Sequence, residues 1–139
     1  MDLIQEAITA AEHVFLQNGN VIKNMMNYRC DLILSNIIFN ENIRVESFSF
    51  KNEDICGMLI IDQYEKTIVY NKNQSNERRN FTIAHELGHY FLHRDKHSLF
   101  NDRQKNFKHN NGNSLNDLEK QANAFASQLL LPNEIVFHF

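Results

Sequence analysis

Apolar residues change their period twice along this chain, and the changes mark out its elements. From Leu3 to Leu16 the apolar positions Leu3, Ile4, Ala7, Ala10, Ala11, Val14 and Phe15 fall at helical spacing. Asn18-Gly19-Asn20 then reads as a stop. A second helical stretch is expected from Val21 to about Ile38, closed by a turn at Asn40-Glu41-Asn42. Past that turn Ile43, Val45, Phe48 and Phe50 alternate with polar residues, the signature of a half-buried strand. Gly57–Ile61 and Thr67–Tyr70 predict two further strands, with 62–66 short enough for a hairpin. The three strands are expected to form an antiparallel sheet, whose edge near Thr67–Tyr70 is a candidate for aligning an extended peptide. Helical spacing returns through Phe81, Ala84, Leu87 and Phe91, interrupted only by Gly88, which is tolerable if another element packs closely there. Residues 95–113 are polar and read as a long surface loop. A last helix is expected from about Ser114 to Leu131, capped by Ser114 or Asn116, with Pro132 just beyond it. The fold class is therefore α+β.

Composition narrows the picture. A length of 139 residues suits one domain over 1–139, and 42% hydrophobic content argues against disorder. The 14 basic and 17 acidic residues leave a net charge of −3 with no dense cationic block, so direct binding to nucleic acid is disfavoured. Cys30 and Cys56 make neither a close metal-ligand pair nor a disulfide framework and read as reduced thiols. Met1 to Leu16 lacks the basic start and apolar run of a signal peptide. No apolar stretch approaches the ~20 residues that span a bilayer. The expectation is a cytoplasmic protein without a membrane role.

The chemistry sits in His85-Glu86-Leu87-Gly88-His89. Two histidines four residues apart project from one helical face and can bring two imidazole nitrogens to one zinc ion. Glu86 is the carboxylate that can take a proton from water in the open fourth position. Phe81, Ile83, Ala84, Leu87, Phe91 and Leu92 make this helix apolar around much of its circumference, and buried histidines need partners. A third ligand must come from elsewhere. Asp95 is one option, but Leu92 stands where a Gly would turn the chain back. Glu119 is the better one, because Ala122, Ala126 and Leu129 follow it on one helical face and the two alanines allow close approach. His93 reads as a supporting, substrate-contacting or exposed residue. His97 and His109 read as solvated, and Tyr70 and Tyr90 as structural.

The string from Arg79 to His89, followed by Glu119-Lys120-Gln121-Ala122-Asn123-Ala124-Phe125-Ala126 and Leu129-Leu130-Leu131-Pro132, resembles the ImmA/IrrE family of metallo-endopeptidases. The similarity covers roughly residues 55–132. It implies a zincin-like domain with Zn²⁺ on His85, His89 and Glu119, and Glu86 as the catalytic acid/base. It also implies a protein substrate, a helix-turn-helix repressor of a phage or mobile element whose cleavage releases transcription. Relatives commonly extend beyond the segment matching Leu129 to Pro132, whereas this sequence stops at Phe139. A non-cleaving module that sequesters a repressor or toxin is the alternative. The intact Glu86 argues against it, since binding alone needs no general base.

Overall fold

The structure, a computed structural model, describes residues 2–18, 30–103, 107 and 116–131. Helix α1 spans Leu3–Gln17, and Asp2 caps it by accepting from the Gln5 amide at 2.7 Å. Its buried stripe is Ala7, Ala11, Val14 and Phe15. Helix α2 spans Cys30–Asn40, so the part of the expected second helix over 21–29 lies outside the described residues, as do Gly19 and Asn20. The turn after α2 is closed by Asn42 with a left-handed φ of 57°, a conformation asparagine tolerates well.

Strands β1 (Arg44–Phe48), β2 (Ile55–Ile61) and β3 (Lys66–Asn71) follow. The β2–β3 hairpin is antiparallel, with Leu59 facing Ile68 across it. Asp62 tightens its turn by accepting from the amides of Tyr64 and Glu65.

The sheet corrects the expected topology in three respects. Among the described residues it has four strands in the order β1-β3-β2-β4, the fourth being Leu99–Arg103 inside the segment read as a surface loop. It is mixed, because β1 runs parallel to β3. And β3 lies between β1 and β2, so Thr67–Tyr70 offers no free edge for a peptide; the edges are β1 and β4. Alternation shows that β1 is a strand but not which neighbour it pairs with. The α+β, zincin-like class itself stands.

Helix α3 (Asn76–His93), capped by Ser75, is the central element: it packs against β2, β3 and all three other helices. Helix α4 spans Asp117–Leu130 with Asn116 as its cap, accepting from the Glu119 amide at 2.9 Å. Ser114, Pro132 and His109 lie outside the described residues.

Two glycines permit the close approaches that α3 requires. At Gly57 on β2 an added Cβ would sit 2.5 Å from the Thr82 methyl group. At Gly88 it would sit 3.1 Å from the Ala122 Cα and 3.2 Å from the Ala122 carbonyl oxygen, so α4 does approach there. Gly88→Ala would gain up to about 1 kcal/mol of helix propensity. Overpacking against rigid backbone costs about 1–3 kcal/mol. The variant is therefore expected to melt below wild type, and an unchanged or higher melting temperature would contradict this packing.

Candidate metal centre

Helix α3 turns one face toward α4 and β4, and that face is polar in an apolar interior. His85, Glu86, His89 and His93 are all fully buried. His85 Nε2 lies 3.0 Å from Glu119 Oε2 and 3.3 Å from Asp102 Oδ1. His89 Nε2 lies 3.3 Å from Glu119 Oε1 and 3.4 Å from Asp102 Oδ2. One ligand atom from each of these four residues falls within 4.8 Å of every other. Two imidazoles and two carboxylates are a donor set suited to a borderline divalent metal. His89 Nε2 is buried with no hydrogen-bond partner among the described residues, a costly arrangement that a cation at the centre would relieve. The residues fit a metal.

The opposite edges of the imidazoles are held too. Asn123 Oδ1 lies 2.8 Å from His85 Nδ1. His89 Nδ1 lies 2.9 Å from His93 Nδ1, and His93 Nε2 lies 2.8 Å from Gln121 Oε1. The Gln121 amide donates its N–H to the Leu3 carbonyl at 3.0 Å, which fixes its orientation. Tautomers follow by elimination. Gln121 Oε1 can only accept, so His93 donates from Nε2 and accepts at Nδ1, and His89 donates from Nδ1. The lone pair of His89 Nε2 is thereby directed at the centre. Burial lowers the pKa of His93, which keeps it the neutral acceptor this chain of bonds needs.

Charge is distributed unevenly. Burial alone would lower the pKa of His85, but its contacts with Asp102 and Glu119 outweigh this and raise it to about 9. Burial opposes ionisation of Asp102 as well, and the two imidazoles more than reverse that, holding its pKa low. Glu86 goes the other way: burial, then the negative charge of Asp102, push its pKa well above the usual carboxylate range. Neither Glu86 carboxylate oxygen has a hydrogen-bond partner among the described residues.

His85, His89 and Glu119 thus meet in one cluster, with Glu86 beside it. Asp95 is exposed beyond the end of α3 and takes no part. Asp102 escaped the sequence reading. Its signal was the alternation in Leu99-Phe100-Asn101-Asp102-Arg103, where Phe100 and Asp102 share the inward face. His93 is buried and bonded to His89, while His97 is exposed. Tyr90 bonds to Glu41 and Lys66. Cys30 and Cys56 are both free. Among the described residues no helix is long and apolar enough to cross a membrane.

A central helix bearing two histidines one turn apart, met by a carboxylate from the next helix, defines a zincin-like domain with a metal-binding cluster. Residues 40–137 match the IrrE N-terminal-like domain of the peptidase M78 family, and the chain belongs to that family. It is 35% identical over 98 residues to the uncharacterised immunity region protein 2 of Bacillus phage phi105, covering 70% of this chain and 58% of that protein. It is 35% identical over 82 residues to metallopeptidase ImmA of Bacillus subtilis strain 168, covering 58% of this chain and 44% of that protein. The chain spans about half the length of these curated relatives.

Proposed function

We propose that this protein is a zinc-dependent endopeptidase, with the metal on His85, His89 and Glu119 and with Glu86 as general base. The observation that carries the reading is the position of Glu86, a buried carboxylate with no hydrogen-bond partner, one residue from the first histidine of a four-donor cluster. A purely structural site needs no such group. Zinc, when bound, supplies Lewis-acid polarisation of the scissile carbonyl and acidifies water.

Glu86 accepts the proton of the attacking water and returns it to the leaving amine. Its raised pKa suits both halves of that cycle, because a base with an ordinary carboxylate pKa would be a poor acid afterwards. Positive charge at the centre would lower that pKa and favour the ionised base. Asn123 and His93 orient the two imidazoles through Nδ1.

The substrate class proposed is a helix-turn-helix repressor of a phage or mobile element, supported by the relatedness to a phage immunity-region protein and to ImmA. The test is co-incubation of this protein with the repressor encoded beside it, with zinc and with a chelator. Zinc-dependent scission into two defined fragments is expected. Binding of an intact repressor in both conditions would favour the sequestering module.

The His93 contact makes a separate prediction. His93→Phe keeps the ring volume and removes the acceptor for His89 Nδ1. Zinc affinity should fall by about 10–100-fold, the scale seen when a ligand's outer partner is lost. Competition with a chromophoric chelator would measure it, and unchanged affinity would refute the orienting role.

A further inference from the structure

A hydrolytic zinc site keeps one coordination position open for water, whereas a site with four protein ligands is closed. The cluster here already has four protein donors. Asp102 brings one carboxylate oxygen to within 3.3 Å of His85 Nε2 and the other to within 3.4 Å of His89 Nε2. It thus bridges the same two ring nitrogens that Glu119 bridges. Two aromatic rings, one of them on β4, seal the site. Phe100, two residues earlier on the same face, stacks on the His89 ring at 4.3 Å between centroids and 16° between planes. Phe107 covers the His85 ring at 4.6 Å. His85, Glu86, His89 and Asp102 have no exposed surface, so no water reaches the general base in this conformation.

We infer that Asp102 is a fourth protein ligand that closes the coordination shell of the bound metal, and that β4 is the gate whose displacement opens it. The inference rests on the metal-site reading above and adds a resting, inactive state to it. The strand is suited to moving. It has five residues and, among the described residues, lies at the sheet edge and pairs only with β2. Its ladder is broken by an irregularity between Ile55 and Gly57, next to the Gly57–Asp102 pair. Its far end is tied by the pair Arg103–Asp54 at 3.9 Å, which is too exposed to contribute much. In the open state Asp102 would move away with the strand, and His85, His89 and Glu119 would be left to hold the metal, with room beside them for water or the substrate carbonyl.

Cobalt(II) loading of the full chain, followed by titration with acetohydroxamate, tests this without relying on peptide cleavage. The visible bands of bound cobalt report the ligand set, and hydroxamate adds only where a position is open. Asp102→Ala is compared with wild type. Asp102→Asn runs beside it, because it keeps the side-chain volume should the alanine variant fold poorly. If closure leaves under a tenth of wild-type molecules open, the variants should bind hydroxamate ~10-fold or more tightly than wild type, by the fraction of competent protein. Equal or weaker hydroxamate binding by the variants would overturn the gate while leaving the metal site intact. Wild type that takes up no cobalt at all would overturn the metal reading too, and that failure appears before any hydroxamate is added.

Discussion

Glu86→Gln is expected to lower peptide cleavage by ~10²–10⁴-fold, the contribution typical of a positioned general base, while leaving metal content unchanged. The substitution is nearly isosteric. In the metal-free protein it should even stabilise. The folded-state pKa of Glu86 is raised, so folding holds a proton that the unfolded chain releases. The metal-free wild type therefore loses stability as pH rises from the unfolded carboxylate value towards the folded one. Glutamine removes that loss, and the metal-free variant should melt higher than metal-free wild type at pH 7. The sequestering alternative predicts that biological output survives the substitution. A Glu86→Gln protein that cleaves or derepresses at the wild-type level would sink the peptidase reading.

Loss of His89 should have the largest effect on the molecule itself. His89→Ala removes a proposed ligand and opens a void beside Phe100, so zinc binding should be lost along with the stability the metal would provide. At free zinc a thousandfold above the dissociation constant that stability is about 4 kcal/mol. Wild type should therefore melt well above the variant with zinc present, and the gap should shrink in chelator. Retention of a full zinc equivalent by the variant would refute the site.

Proton linkage sharpens the same experiment. With a pKa raised to about 9, His85 is protonated in the metal-free protein at neutral pH and must release that proton to bind. Zinc affinity should thus rise by at least about tenfold per pH unit up to near pH 9. Without metal the sign is opposite: the stability from the raised His85 pKa is complete below its unfolded value and is lost as pH rises through about 9. An affinity flat between pH 6.5 and 8.5 would contradict this assignment of charge.

Much of this was legible in the chain, for identifiable reasons. Helical spacing located α1, α3 and α4 because each buries a continuous stripe, and Asn116 declared the start of α4. Glu119 could be nominated because Ala122 and Ala126 turn its helical face inward, and Gly88 marked a close approach by another element, which proves to be α4. What escaped is equally specific. Strand β4 buries only Phe100 and Asp102, and an aspartate is counted as polar wherever it points. Its burial depends on two imidazoles that lie 13 and 17 positions upstream and that no local pattern can reveal. The parallel pairing of β1 with β3 also went unread, since strand alternation carries faces and not partners.

The Gln121–Leu3 bond has a practical consequence for how such a protein is handled. The string of bonds that aims His89 ends on a main-chain oxygen in the first turn of the N-terminal helix. Substituting the exposed side chains of that first turn would report nothing, because each leaves the carbonyl in place. Trimming its first turn, or pulling it aside with a fused tag, would instead release Gln121 and loosen the imidazole from a point far away in sequence. Preparations that differ only at their leading residues would then differ in metal content, and a low zinc count would reflect the cloning junction before it reflected the site.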